Sequence, residues 1–325
     1  MATVVSITNP ITGAVEQVDK LDHTAQQIDD AVALAPQLSN PNLLDNWYFG
    51  NPVNQRGQTE YTALGYTIDR WKLPAVHKLT VQDSGIKITC NSSAGANFCF
   101  QQLVENLEVG KQYTLSVLIT ENTTTKGVSP RHGNSGSNAI TGTGVYTLTF
   151  VAASADLTYG VGMQFDSRAD DAGNYIVIEA IKLEFGSQQT LAHQDADGNW
   201  VLNEIPDYGE QLRRCQRYFV NFNPYKMDWF AMPPAVASNS NQAYSTVTLP
   251  VTMRAQPVVS YGGSIALSQS ADHAITAILA SDNTFTGNSI QLRYDVSAGT
   301  LIANSLYRVQ GNADPTSYIW LSADL

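Results

Sequence analysis

"YIVIEAIKLEF", residues Tyr175 to Phe185, decides the fold class. Read at a period of two, it places Tyr175, Val177, Glu179, Ile181, Leu183 and Phe185 on one side. Successive side chains of a strand point to opposite faces, so this alternation marks a half-buried strand. The same period recurs on both sides of it. "YTLSVLIT" alternates Tyr113, Leu115, Val117 and Ile119, "VYTLTF" alternates Tyr146, Leu148 and Phe150, and "LTYGVGMQF" alternates Leu157, Tyr159, Val161, Met163 and Phe165. In "HKLTVQDSGIKITC" two alternating runs flank an Asp-Ser-Gly turn, which reads as a hairpin. About eight such strands with no helix between them predict a jelly-roll-like β-sandwich over residues 41–187.

Outward from this block the pattern changes. Upstream, Ile11, Ala14, Val18, Leu21, Ala25, Ile28, Val32 and Ala35 recur at spacings of three and four, between Pro10 and Pro36. That spacing predicts one amphipathic helix with a narrow apolar seam, and a narrow seam favours a coiled coil. Residues 1–40 are thus expected to form an attachment segment and a helical stalk, with Ile11, Val18, Leu21, Ala25, Ile28 and Val32 as oligomerisation contacts. Downstream, residues 188–208 read as a linker. "YGEQLRRCQRYF" then reads as a short helix with Asp207 as its N-cap and with Leu212, Cys215 and Phe219 on one face. Strands resume in "STVTLPVTM", "PVVSYGG", "HAITAILAS", "SIQLRYDV" and "SYIWLSADL", so residues 209–325 are expected to form a second β-sandwich. The fold class read here is mainly β: a helical coiled-coil stalk followed by two β-sandwich, jelly-roll-like domains.

Composition narrows the function. The chain of 325 residues has only 14% charged residues and a net charge of −11. Nucleic acid and anionic membranes demand clustered cations. The cluster here is "QLRRCQR", with Arg213, Arg214 and Arg217, so neither is expected as a partner. No run approaches the ~18 apolar residues of a membrane span, and "MATVVSITNPITG" has neither the basic n-region nor the apolar core of a secretion signal. Cys90, Cys99 and Cys215 make an odd count without a disulfide framework. Cys90 and Cys99 fall in adjacent apolar strands where pairing is geometrically open, and the competing reading makes all three small buried apolar groups.

Catalytic and metal motifs are missing. His23, His77, His132, His193 and His273 are scattered with no close ligand spacing, and no GxSxG elbow occurs. Asp170 and Asp171 are adjacent, which on an extended chain sends them to opposite faces; they read as a turn before Gly173. In "DADGNWVLNE" the glycine comes two places early for a calcium loop and the closing glutamate is missing, so a hairpin turn is expected. No enzyme activity, metal or cofactor is expected.

Binding residues are sought among aromatics and loops. Trp47, Tyr48 and Phe49 are consecutive, so alternation turns Trp47 and Phe49 to one face and Tyr48 to the other. The Gly/Ser-rich stretch 131–144 reads as a loop carrying Arg131, His132 and Asn134, and a second group comprises Tyr66 and Trp71. Trp229, beside Met227 and the Pro233-Pro234 pair, is the expected exposed ring of the C-terminal domain, with Tyr225 near it.

Four stretches carry a family resemblance. "NLLDNWYFGNPVNQRG" resembles the opening of the sandwich module in tail-fibre and receptor-binding proteins of bacteriophages and prophages, a module similar to carbohydrate-binding modules. "YGEQLRRCQRYF" resembles the segment that introduces their C-terminal domain, "LPVTMRAQPVV" looks like a strand pair of that domain, and "VDKLDHTAQQIDDAV" is similar to their attachment stalks. The resemblance implies a homotrimeric virion appendage made in the host cytoplasm. Its N-terminus would join other tail or baseplate proteins, and its tip would meet host surface glycan through several weak sites. It also implies that Trp47 and Arg56 are framework residues. A structural virion protein without a receptor role, and a polysaccharide-degrading enzyme with accessory sandwiches, are the competing readings.

Overall fold

In the computed structural model, the strand Tyr175–Phe185 lies inside a six-stranded antiparallel sheet. The structure describes residues 4–8, 15–19, 40–75, 77–92, 98–223, 232–281, 284–297, 299–311 and 314–324. The chain divides into two units, Met1–Ser39 and Asn40–Leu325.

The first unit corrects part of the stalk reading. Val15–Asp19 is a strand, paired antiparallel with Val4–Thr8 in register Val5↔Val18. A single helix from residue 11 to 35 is therefore excluded over this stretch, and Val18 belongs to a hairpin. In "VEQVD" the two valines are three apart, a helical spacing, so the strand is set by its pairing with Val4–Thr8 and not by the pattern of this short run. Ile11, Leu21, Ala25, Ile28 and Val32 lie outside the described residues.

The second unit is mainly β. One six-stranded sheet runs Gly144–Val151, Gln112–Asn122, Tyr175–Phe185, Gly85–Thr89, Lys78–Gln82 and Glu60–Tyr61 in spatial order. The other runs Ser135–Gly136, Val128–His132, Val161–Phe165, Phe100–Gln102, Lys72–Leu73 and Gly65–Tyr66. Both sheets feed one core, with Leu115, Val117, Ile181 and Leu183 from the first and Phe100, Val128, Val161 and Met163 from the second. Gly85 makes the hairpin after Asp83-Ser84 possible: its φ is 139°, and a Cβ there would lie 2.3 Å from the Ile178 carbonyl oxygen.

Strict alternation fails in the middle of Tyr175–Phe185. The register slips around Glu179, where Ile178 faces Ile119 and Ala180 faces Leu118. This bulge inserts one extra residue and reverses the phase. Ile176 and Ile178 enter the core before it, and Ile181 and Leu183 after it. Beyond the bulge the strand keeps Gln112–Asn122 on one edge, and on the other the segment 43–49 takes over from Gly85–Thr89. Leu43 N–H donates to the Leu183 carbonyl, Ile181 N–H to that of Trp47, and Phe49 N–H to that of Glu179. The segment "NLLDNWYF" thus enters along the central strand, with Trp47 and Phe49 buried and Tyr48 half-buried.

The stretch read as a linker folds back onto this domain. Ala192–Gln194 pairs with Trp200–Leu202, and Leu191 and Ala192 join the first core. It covers side chains that would otherwise be the sheet's wet face. Lys182, wholly enclosed, lies 3.0 Å from Glu204 Oε1, and the buried Glu184 accepts from the Thr190 N–H at 2.7 Å and its hydroxyl at 2.5 Å. Both faces of the strand are therefore buried from Ala180 to Glu184. Asp195 closes the hairpin, accepting from Asp197 N–H at 3.0 Å and Asn199 N–H at 2.8 Å. Its carboxylate is occupied as a turn acceptor, consistent with a turn and not a calcium loop.

The C-terminal part differs from the sandwich expected. Ala235–Ala237, Gln242–Thr248, Ser289–Val296, Asp272–Ala280, Ala266–Ser268 and Leu306–Gln310 form a closed barrel. Leu306–Gln310 pairs with both Ala235–Ala237 and Ala266–Ser268, and that double pairing closes the ring and removes its edges. Inside, Ala235, Ala237 and Ala243 leave room for the buried Tyr294. A separate three-stranded sheet orders Phe219–Phe222, Tyr318–Ser322 and Val258–Gly262. Two short helices occur among the described residues, Ser154–Tyr159 and Tyr208–Gln216. The second is capped as expected, Asp207 accepting from Glu210 N–H at 2.8 Å. No helix among the described residues is long and apolar enough to cross a membrane.

Candidate functional site

The two stretches that frame the domains meet. "DNWYFGNPVNQRG" bends at Asn46, whose φ of 52° is unusual for a residue with a side chain. The amide of Asn46 holds that bend, donating to the carbonyls of Val53 and Asp69 at 2.8 Å each and accepting from Val53 N–H at 2.7 Å. Its backbone carbonyl accepts from Trp71 Nε1 at 2.8 Å. Its N–H reaches across to Gln211 Oε1 at 2.7 Å, on the helix Tyr208–Gln216.

Charged groups complete the joint. Asp45 receives two arginines: Arg70 Nε at 3.0 Å on one oxygen and Arg214 Nε at 2.7 Å on the other. The Arg70 guanidinium lies 3.4 Å from the Tyr218 ring centroid. The Tyr218 hydroxyl donates to Glu105 at 2.8 Å, and Arg254 pairs with the same carboxylate. On the far side Arg56 bonds Asp324 at 2.9 Å and sits 3.8 Å from the Phe219 ring centroid. Gln55 bridges Asp69 and the Phe219 carbonyl at 2.8 and 2.7 Å. "LPVTMRAQPVV" also takes part without being a strand pair: Met253 enters the second core, Arg254 turns to Glu105, and only its last two residues begin a strand.

A cleft of about 320 Å³ opens at this joint, lined by Asn42, Asp45, Arg70, Glu105, Asn106, Arg214, Arg217 and Tyr218 among others. A neighbouring hollow of about 610 Å³ shares Val104, Glu105 and Asn106 and extends to Leu157 and Arg254. Asn106 and Arg217 are exposed at the rim, whereas Arg70 is 2% exposed. Burial raises the Tyr218 hydroxyl to about 12, so it remains a donor at neutral pH. Partial burial opposes ionisation of Glu105, but the Tyr218 hydroxyl and Arg254 outweigh it and hold that carboxyl below its usual range.

Asp69 titrates differently. Its complete burial raises it to about 6, although Arg56 and Gln55 pull it down. Burial also raises Asp324. Asp69 therefore holds its proton in the folded chain between about pH 3.8 and 6, where it would lose it in the unfolded one. Stability from Asp69 is fully present below that window and is lost as pH rises through about 6, on the order of 3 kcal/mol across the window. Denaturation midpoints measured from pH 4 to 7.5 are expected to fall less steeply for Asp69→Asn than for the parent chain; parallel curves would remove Asp69 as the cause.

The residues expected from the sequence do not converge on one site. Arg131 is 7% exposed, and its guanidinium is taken up by Gln164 and by the Asn134 carbonyl at 2.8 Å. His132 stacks on Phe150 at 4.0 Å and meets the buried Asp156 at 2.8 Å. The stretch 131–144 is tied down, not free: Arg131 pairs with Gly136, and Ile140 bridges Val128. Arg131 and His132 end the strand Val128–His132 and are not loop residues as expected; Asn134, in the turn after it, is exposed. Trp71 is fully enclosed and stacked on Phe100 at 4.4 Å, so its ring offers no face to a sugar. Tyr66 is half-buried, with the Arg56 guanidinium 5.5 Å from its ring centroid. Trp229 and Tyr225 lie outside the described residues.

Asp171 is buried and clasps the Thr125 N–H at 2.5 Å and hydroxyl at 2.9 Å, a structural use of that carboxylate. Cys90, Cys99 and Cys215 are buried free thiols, and no group of three His, Cys, Asp or Glu that could hold a metal occurs among the described residues. The joint itself had one sequence signal, the cationic run "QLRRCQR", whose Arg214 and Arg217 line the cleft. Asp45, Arg70, Glu105 and Asn106 carried none, because lone charged residues gain meaning only when the fold gathers them.

No protein-family model matches the chain, and no curated protein matches it. Among solved structures, an anti-sigma factor domain-containing protein aligns with 81% of this chain and 91% of its own at 9% identity, with a TM-score of 0.16, a likeness too slight to carry an argument.

Proposed function

We propose that this protein is a tail-fibre-like virion component that binds host surface glycan, with the joint cleft as its binding site. The cleft carries this reading. Ligand sites favour domain boundaries, and here amide, carboxylate and guanidinium groups of the kind that hold sugar hydroxyls surround a phenol ring. The sequence resemblance supplies the virion context. A row of outward side chains supports self-association: Leu306, Val236, Tyr244, Arg293 and Leu279 stand in register around the barrel, and Leu306, Val236 and Leu279 are exposed. Three weak sites on one trimer would act by avidity.

Two measurements test the proposal. Sedimentation is expected to give three chains of 35.3 kDa each, and a monomer would remove the avidity mechanism. A glycan array with purified protein is expected to show binding that Asn106→Ala weakens. Adsorption to cells without any glycan binding would favour a protein receptor, and release of reducing sugar would favour the degrading enzyme.

A further inference from the structure

The chain carries 29 acidic against 18 basic side chains, yet four of its arginines lie at the joint. Arg70, Arg214 and Arg217 line the cleft, and Arg254 lines the adjoining hollow; the acids among the lining residues are Asp45 and Glu105. Both acids are already engaged. Asp45 is divided between Arg70 and Arg214, and Glu105 is held by Tyr218 and Arg254. Four guanidinium groups against two carboxylates leave a positive surplus, which reaches solvent at the exposed Arg217.

Arg70 is an independent observation. Its backbone is held at φ 70°, a conformation that side-chain-bearing residues rarely adopt and that concentrates at functional positions. Nε is bound to Asp45 and Nη2 to the Leu103 carbonyl at 2.9 Å, while the enclosed Nη1 has no hydrogen-bond partner among the described residues. An enclosed guanidinium nitrogen without an acceptor is costly. A cation fixed beneath a partly dehydrated cleft attracts a bound anion far more strongly than one in open water. An anion seated on the cleft floor gains from that charge even without touching Nη1.

We propose that the cleft takes an acidic saccharide, its carboxylate or phosphate set between Arg217 and the floor over Arg70, with the Asn106 amide on a ring hydroxyl. This rests on the glycan reading of the same cleft and names its chemical class. Neutral hydroxyls alone would not use the charge surplus, whereas a charge-assisted hydrogen bond to a guanidinium is among the strong ones.

Calorimetric titration of the full chain with glucuronic acid, glucuronamide, glucose, glucose 6-phosphate and inorganic phosphate tests it. The two acidic sugars are expected to bind, more weakly as salt is added. Glucuronamide, glucose and the Arg217→Ala variant are each expected to show at least about tenfold weaker binding. The comparison of glucuronic acid with glucose 6-phosphate decides which anion the site prefers. Equal binding of glucose and glucuronic acid would overturn the acidic class and leave the glycan reading intact. Inorganic phosphate as tight as either acidic sugar would reduce the site to a plain anion site and overturn its saccharide part. Indifference to Arg217→Ala would move the binding elsewhere. Failure of every sugar to bind would end both the inference and the reading on which it rests.

Discussion

Replacing Asp45 with alanine is expected to destabilise the folded chain by about 3–5 kcal/mol. The carboxylate takes charge-assisted bonds from Arg70 and Arg214, and Arg70 is 2% exposed. Without Asp45, Arg70 keeps its charge in a place that water hardly reaches, and a buried cation without its counter-ion is far costlier than a lost surface pair. The change also cuts a tie between the domains, since Asp45 lies in the segment that enters the first core and Arg214 stands on the helix that introduces the second. Urea denaturation followed by tryptophan fluorescence measures the loss. Two separated transitions in the variant, against one in the parent, would show that this pair couples the domains. A loss below about 1 kcal/mol would mean that Asp45 acts as an exposed ion pair does.

Trp71→Ala is expected to cost a similar amount, about 3–5 kcal/mol, for a different reason. The indole is wholly enclosed, lies 4.4 Å from Phe100 with planes 6° apart, and meets Phe49 edge-on at 5.4 Å. Its removal leaves a cavity that these rings only partly fill, and it strands the Asn46 carbonyl that Trp71 Nε1 satisfies. Trp71→Phe should retain part of the packing and lose the hydrogen bond. Thermal unfolding distinguishes the variants. A Trp71→Ala chain of parental stability with weakened sugar binding would return Trp71 to the binding role expected from the sequence.

Trp71 shows where sequence reading reaches its limit. An aromatic in a turn-rich stretch fits a sugar platform and a core ring equally well, because neither composition nor period records what lies above the ring. Trp47 and Phe49 were legible as sharing one face, because alternation separates them from Tyr48, and the core takes both. Arg131 and His132, expected in a loop, end the strand Val128–His132, and the partners that consume them, Gln164 and Asp156, lie 33 and 24 residues away. At the joint, Glu105 meets Arg254 across 149 positions and Arg56 meets Asp324 across 268. Such pairs leave no local trace.

By itself the sequence determined the mainly β character, because strand periodicity is a local property repeated along the chain. It determined the helix Tyr208–Gln216 and its Asp207 cap for the same reason: both depend on neighbours within a few residues. Only the tertiary structure decided the rest. The bulge at Glu179 reverses which side chains enter the core, and that slip is set by the strand opposite. The stretch 188–208 became a cover for Lys182 and Glu184 because an enclosed charge needs a partner wherever the chain can bring one. The C-terminal barrel closed because Leu306–Gln310 found two partners, and no single strand's pattern says how many edges it will pair. The cleft is of the same kind: four arginines from distant positions become one electropositive site only when the two domains are locked together.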